Sequence, residues 1–223
     1  MTIVTVRGAD LDIVQAGAGR DLVLLHSLLT DRSAFAFVVP LLAKTRRLTL
    51  VNLPGYGASS PAGPDVEDYA DRIAELLSAL GLPQQTDVLG NGFGGFISIA
   101  LAANHGVQFD RLIVADALAV FPEPAKLPLR NLAAKVEREA DPACFQAACR
   151  ALARLDFTPV LGNIRNPTLV MVGALDQTTP PTLARELANG IPGAKFQEIP
   201  GCGHCPQIEN PRAFVAAVNG FLP

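Results

Sequence analysis

Short apolar runs alternate with amphipathic segments along most of the chain. Two alternating runs, Thr2–Val6 and 11–15, flank a turn that contains Gly8 and predict a β-hairpin. Continuous apolar runs are typical of strands covered on both faces. Such runs, with a weaker one at the end, predict strands at 22–26, 48–53, 87–90, Leu112–Ala115, Thr168–Gly173 and Lys195–Ile199.

Helical periodicity fills the segments between these strands. Helices are predicted at 33–44, 66–80, 96–104, 181–191 and Pro211–Phe221. In the segment 66–80, for example, the apolar side chains fall on one face of a helix. Strands that alternate with helices predict one α/β domain, with a mostly parallel, eight-stranded sheet and helices on both of its faces.

One stretch, 118–162, breaks this alternation because it contains no strand pattern. A proline-rich entry is followed by two helical segments, predicted at 129–139 and 142–155. We interpret 118–162 as a short helical cap inserted into a core that is formed by 1–117 and 163–223. Such a cap would cover the sheet edge at which open α/β sheets bind ligands. The alternative is a helical pair packed elsewhere on the surface.

Composition narrows the range of partners. The 223 residues are 49% hydrophobic and 17% charged, and the net charge of −3 offers no basic surface for nucleic acid. No apolar run reaches the roughly 18 residues of a membrane-spanning helix, and the first residues do not resemble a signal peptide. Four cysteines without a framework spacing favour a reducing compartment. We therefore predict a cytoplasmic protein with a small-molecule ligand and no nucleic-acid or membrane partner; no oligomeric state is favoured.

A glycine-rich turn joins the predicted strand 87–90 to the helix 96–104. Its sequence, G-N-G-F-G-G at 90–95, has the frame of the G-x-S-x-G nucleophile elbow, where a strained turn presents a serine. Here the central residue is Gly92. Glycine-rich turns also bind phosphate, but the acidic residue that completes a dinucleotide-binding fingerprint about 20 positions later is missing.

An acidic residue and a histidine follow two of the later predicted strands. Asp176 comes after the strand Thr168–Gly173, and His204 comes after the last strand. The order of elbow, acid and histidine is that of α/β-hydrolases. A metal site at Cys202, His204 and Cys205 is disfavoured, because ligands so crowded give poor tetrahedral geometry. We predict neither a metal nor another cofactor.

With these motifs the chain resembles the α/β-hydrolase superfamily over essentially its full length. Within it, the chain is most similar to the 3-oxoadipate enol-lactonase and small-esterase branch. The motifs are HSLLTD (26–31), NLPGYGAS (52–59), PTLVMVGALDQTTPP (167–181), and IPGCGH with IENPRAF (199–204 and 208–214).

The resemblance implies a role for each matching position. His204 would be the general acid and base, and Asp176 would orient it. The backbone N–H groups of Leu28 and Phe93 would form the oxyanion hole. Candidate pocket residues are His26, Ser27, Asn91 and Phe121.

Gly92 departs from the family pattern because it has no side chain that could attack a substrate. Three hypotheses follow. In the first, the dyad of His204 and Asp176 activates a water in the space of the missing serine side chain and acts on a small activated ester, lactone or carbonyl compound. In the second, the protein is catalytically inert and binds a small molecule or a partner. In the third, it is a serine hydrolase whose nucleophile was replaced by glycine or whose chemistry uses another residue.

Ser27 is the nearest candidate for that other residue, at a position where relatives often carry glycine. The competing interpretation of Ser27 is a polar loop residue. A proton abstraction by the same dyad, aided by Asp116 at the end of the strand Leu112–Ala115, is a variant of the first hypothesis.

Overall fold

The computed structural model describes residues 1–133 and 142–223, and these form an eight-stranded sheet with helices on both faces. The spatial order of the strands is β1-β2-β4-β3-β5-β6-β7-β8. The strands are β1 (Thr2–Val6), β2 (Ala9–Ala16), β3 (Arg20–Leu25), β4 (Arg46–Val51), β5 (Asp87–Asn91), β6 (Leu112–Ala115), β7 (Thr168–Gly173) and β8 (Lys195–Ile199). The α/β fold class and all eight predicted strands are therefore confirmed.

The sheet is mostly parallel, as predicted, but it is mixed, because two of its seven pairs of neighbouring strands are antiparallel. β1 and β2 form the predicted antiparallel hairpin, and β2 also runs antiparallel to β4. All the other neighbouring strands, in the spatial order β4-β3-β5-β6-β7-β8, run parallel to one another. A short turn joins β1 to β2, and a parallel pair would have needed a long crossover connection.

The helices mostly match the predicted segments. They are α1 (Val39–Leu42), α2 (Val66–Ala79), α3 (Phe93–His105), α4 (Glu123–Ala133), α5 (Pro142–Arg154), α6 (Thr158–Leu161), α7 (Pro181–Gly190), α8 (Pro206–Glu209) and α9 (Pro211–Phe221), with 3₁₀ turns at Arg32–Phe35 and Gly106–Gln108. None of the helices in the described residues has the length and apolar character needed to cross a membrane.

Two predicted helices differ from the observed ones. The predicted helix 33–44 is divided into a 3₁₀ turn and the short α1, because Pro40 lacks an N–H and fits only the first turn of a helix. The second difference concerns the predicted helix 129–139. The observed helix α4 begins earlier, at Glu123, and the predicted residues beyond 133 lie outside the described residues.

The described residues of 118–162 form α4, α5 and α6, together with a single bridge between Val120 and Asp156. α5 packs against α4 and also touches α2 on the body of the sheet. The division of the chain into a core and a cap remains our interpretation of this all-helical stretch.

Alternate residues of the central strands enter two separate cores. Val23 and Leu25 of β3 belong to the core that contains α2 and α3. Leu22 and Leu24 belong to the core on the opposite face, beneath α1 and α9. Because side chains alternate along a strand, a continuous apolar run is what a strand covered on both faces requires.

The parallel strands end together at one edge of the sheet. Leu25 of β3 lies beside Gly90, Asn91 lies beside Ala115 of β6, and Ala115 lies beside Met171 of β7. The loops that follow these strands therefore meet at this edge, which is where ligands bind in open α/β sheets.

The start of α3 lies against the end of β3 at backbone distance. The N–H of Gly94 donates to the carbonyl oxygen of His26 at 2.9 Å. A Cβ atom on Gly94 would come well within 3.0 Å of the carbonyl oxygen of Leu25, closer than real Cβ contacts. Glycine at 94 is therefore required for this approach.

Gly94→Ala is expected to lower the free energy of unfolding by about 3 kcal/mol, because the new methyl group must push backbone atoms apart. Urea unfolding followed by circular dichroism measures the change. Gly220→Ala in α9 is the matched control, since no atom lies within 4 Å of its Cβ position. That control is expected to be neutral or stabilising by up to about 1 kcal/mol. Equal effects of the two substitutions would contradict the close-approach argument.

Candidate active site

The turn between β5 and α3 holds Gly92 in a conformation that L side chains rarely adopt. Its φ is 52° and its ψ is −117°, and it is the N-cap residue of α3. Its N–H donates to the carbonyl oxygen of Ala115 at 2.9 Å, which joins the turn to β6. The backbone thus has the strained geometry expected of a nucleophile elbow, with glycine at its apex.

His204 and Asp176 are brought together from two loops. Nδ1 of His204 lies 2.8 Å from Oδ2 of Asp176. The other carboxylate oxygen accepts the N–H groups of Thr178 at 2.7 Å and Thr179 at 3.0 Å, and the Thr179 hydroxyl donates to Oδ2. The carboxylate is therefore held in a fixed position behind the imidazole ring.

The hydrogen bonds around Asp176 keep it ionised. Burial of the carboxyl opposes ionisation, but His204 and Thr179 outweigh this and lower the pKa of Asp176 to about 2. The carboxylate of Asp176 accepts a hydrogen bond from the Nδ1–H of His204, which leaves Nε2 of the neutral ring as an acceptor. The His204 side chain is 29% exposed, so Nε2 can meet a ligand.

Glu209 fixes the loop that carries His204. Its carboxylate accepts the N–H of Gly203 at 2.8 Å and the N–H of Cys205 at 3.0 Å. Both residues next to His204 are thereby held by a side chain of α8.

The two cysteines near His204 are not reactive thiolates. Cys202 is fully buried. Burial raises the pKa of the Cys205 thiol to about 11, so this thiol is protonated at neutral pH.

A second carboxyl group lies behind the pair. Asp116 is fully buried at a φ of 53°, and one ligand atom each of Asp116, Asp176 and His204 lies within 4.8 Å of the others. Burial raises the pKa of Asp116 well above its usual range, and the charge of Asp176 adds to this.

Asn91 belongs to the support of Asp116. Its amide donates to the Asp116 carboxyl at 2.7 Å, and its oxygen accepts from the Gln207 amide at 3.0 Å. The other oxygen of Asp116 accepts the N–H of Gly173 at 3.0 Å. Asn91, proposed from sequence as a pocket residue, is completely buried beneath the site. Sequence reasoning missed Thr179, Gln207 and Glu209, although Thr179 lies in the motif 167–181 and Glu209 lies in the motif 208–214.

The two proposed oxyanion donors are available. Within the described residues, neither the N–H of Leu28 nor that of Phe93 makes a hydrogen bond. The Tyr56 hydroxyl donates to the carbonyl oxygen of Leu28 at 2.6 Å and holds the loop. Two unpaired N–H groups on adjoining segments are what an oxyanion hole needs.

His26, another proposed pocket residue, is an internal support of that loop. It is fully buried, its Nε2 accepts the N–H of Leu53 at 3.0 Å, and its Nδ1 lies 2.8 Å from the carbonyl oxygen of Ser27. Nδ1 therefore carries the proton of a neutral ring. Burial lowers the pKa of His26 to about 4.

The remaining two pocket candidates, Phe121 and Ser27, contact different residues. Phe121 is 7% exposed and stacks on Phe96, with ring centroids 5.3 Å apart. Ser27 is 6% exposed and faces Gly92. An ideal Cβ on Gly92 would lie 3.3 Å from Nε2 of His204 and 2.9 Å from Cβ of Ser27.

Comparison with known proteins identifies the family and the fold. The sequence profile of the Alpha/beta hydrolase family matches residues 22–218. The chain belongs to this family. It is 25% identical over 253 residues to a pimeloyl-[acyl-carrier protein] methyl ester esterase of Aeromonas hydrophila, covering 95% of this chain and 99% of that protein. As an alpha/beta hydrolase it also superposes on the enol-lactonase of Burkholderia xenovorans LB400, with a TM-score of 0.87, 26% identity and 99% of each chain covered.

A third relative is much larger. The alpha/beta hydrolase chain is 27% identical over 255 residues to polyketide synthase ThaQ of Burkholderia thailandensis. That match covers 96% of this chain but only 12% of the synthase.

The stability of the protein is expected to fall by about 3 kcal/mol from His26 alone as the pH drops from 7 to 4. The unfolded chain binds a proton at the ordinary pKa of 6.5, whereas folded His26 resists protonation down to about 4. The loss therefore begins near pH 6.5 and is complete near pH 4. Urea unfolding at several pH values measures it.

His26→Gln is the control, because glutamine keeps a polar group but does not titrate. Its free energy of unfolding should depend less on pH over this interval, by about the same 3 kcal/mol. An identical pH dependence in both proteins would show that His26 is not buried as a neutral ring.

Proposed function

We propose that this alpha/beta hydrolase hydrolyses a small activated ester or lactone, with water as the acyl acceptor and His204 as the base. The observation that carries this proposal is the orientation of His204. Its Nδ1 is bound to Asp176, and its Nε2 lies 3.3 Å from the position that the first side-chain atom of an elbow residue would take. The relatives that are a methyl ester esterase and an enol-lactonase favour the same class of reaction.

In the first step, the substrate carbonyl oxygen binds to the N–H groups of Leu28 and Phe93. The oxygen of a water attacks the carbonyl carbon while Nε2 of His204 takes one of its protons. Negative charge then develops on the carbonyl oxygen, where the two N–H groups stabilise it. The carboxylate of Asp176 stabilises the imidazolium that forms.

In the second step, the tetrahedral intermediate collapses and the bond to the leaving oxygen breaks. His204 returns the proton from Nε2 to that oxygen, and the products are a carboxylic acid and an alcohol or enol. For a lactone both groups stay on one molecule. Activated substrates suit this route, because no covalent intermediate divides the reaction into two easier steps.

Gly92 is compatible with this chemistry. Glycine adopts the positive φ of the elbow without the strain that any other residue would have there. The N–H of Phe93 depends on the backbone of the turn and not on a side chain at 92. The proposed oxyanion donors therefore need no serine at position 92.

His204→Ala is expected to lower kcat/KM for p-nitrophenyl acetate or an enol-lactone by at least about 100-fold, because the general base is removed. Initial rates with a panel of such substrates measure the effect. His105→Ala is the matched control, since this histidine is the last residue of α3, at the end away from the site, and pairs with Asp71 of α2. The control should retain activity within about twofold.

Two results would contradict the proposal. If the protein is no faster than buffer with every substrate, the catalytically inert, ligand-binding hypothesis replaces it. If His204→Ala is as active as the unmodified protein, turnover takes place at another site.

A further inference from the structure

The hydroxyl group of Ser27 occupies the space that a side chain at position 92 would need. A Cβ on Gly92 would come well within 3.0 Å of Oγ of Ser27, a distance that real Cβ atoms do not show. The same point lies 3.3 Å from Nε2 of His204. A serine hydroxyl is therefore still present beside the catalytic histidine, but it belongs to the loop after β3.

Both groups that face this space lack a partner within the part of the chain that the structure describes. The hydrogen bonds of Ser27 are made by its carbonyl oxygen, and its hydroxyl makes none. The hydrogen bonds of the His204 ring are made at Nδ1, and Nε2 makes none. Polar atoms in a ligand site that are left without partners are available to a substrate or a water.

No direct hydrogen bond joins these two described residues, although both lie close to the same point. A nucleophilic serine needs its hydroxyl within hydrogen-bond reach of its base. A water, in contrast, can bridge two polar groups that are too far apart to bond directly. The arrangement therefore suits a water held between Oγ and Nε2.

We propose that Ser27 is a positioning residue that holds the attacking water against His204. The inference rests on the proposed function and specifies how it works. The Ser27 hydroxyl hydrogen-bonds the water, Nε2 of His204 takes its proton, and its oxygen attacks the carbonyl carbon. Ser27 itself forms no covalent bond.

The backbone around Ser27 is rigid enough for this role. Its carbonyl oxygen faces Nδ1 of His26 at 2.8 Å, and the preceding carbonyl oxygen accepts the N–H of Gly94 at 2.9 Å. The following residue, Leu28, offers its N–H to the substrate oxygen. Water and carbonyl are thus positioned by neighbouring residues of one fixed loop, which reduces the ordering needed in the transition state.

The first test compares Ser27→Ala with Ser98→Ala, using p-nitrophenyl acetate. Ser98 is the matched control, because it is a fully buried serine of α3 whose hydroxyl donates to the carbonyl oxygen of Gly95 at 2.8 Å. Ser27→Ala should lower kcat by about 10- to 100-fold with KM changed by less than about threefold. Ser98→Ala should leave both within about twofold.

An unchanged kcat in Ser27→Ala, or an equal loss in Ser98→Ala, would overturn the role of Ser27. Ser27→Gly serves as a second variant if the alanine protein does not fold. Absence of turnover in the unmodified protein would reject the proposed function itself, so the two failures are distinguishable.

The second test is intact-mass and peptide-mapping spectrometry during turnover of p-nitrophenyl acetate. The unmodified protein should carry no acetyl group, whereas an acetylated Ser27 would make it the nucleophile and overturn the proposal. Gly92→Ser alone should stay unacetylated, because Ser27 occupies the required space. The double variant Ser27→Gly with Gly92→Ser should accumulate acetyl on residue 92. Equal acetylation of the single and double variants would show that the two positions do not compete.

Discussion

The backbone contact between Gly94 and the end of β3 is the constraint on which the candidate site depends. The N–H of Gly94 bonds to the carbonyl oxygen of His26, and the absence of a Cβ lets the two segments meet. This contact brings the start of α3 beside the loop after β3. The N–H groups of Phe93 and Leu28 come from those two segments, so both the proposed oxyanion donors and the facing pair Ser27 and Gly92 rely on it.

Two neighbouring carboxyl groups, those of Asp116 and Asp176, differ in their pKa values and therefore in their roles. Asp176 has a pKa of about 2 and stays ionised beside His204, whereas burial raises the pKa of Asp116 well above its usual range. Like charges this close in a buried site do not both ionise readily. The histidine therefore faces one negative charge, and the second carboxyl serves as a hydrogen-bonded support that reaches through Asn91 to Gln207.

Much of the fold could be predicted from the sequence, because its signals are local. Apolar runs mark strands covered on both faces, and the glycines of 90–95 mark a tight strand-to-helix turn. The helical pattern of 33–44 does not reveal the break before α1. Pro40 is the sign of it, because proline fits only the first turn of a helix. The pairing of β2 with β4 was also missed, since strand neighbours far apart in sequence leave no periodic signal.

The candidate site divides in the same way. Asp176 and His204 could be proposed from motifs, because each directly follows a strand of recognisable pattern. The series of hydrogen bonds from Gln207 through Asn91 to Asp116 joins residues up to 116 positions apart, so only the structure reveals it. Ser27 could be named from the sequence as a pocket candidate, but only the structure shows that its hydroxyl takes the space in which a water was expected. The overlap of Ser27 and a side chain at 92 couples the two positions. Any side chain at 92 requires the Ser27 side chain to move or to be shortened, so a substitution at either position changes which side chains the other can carry.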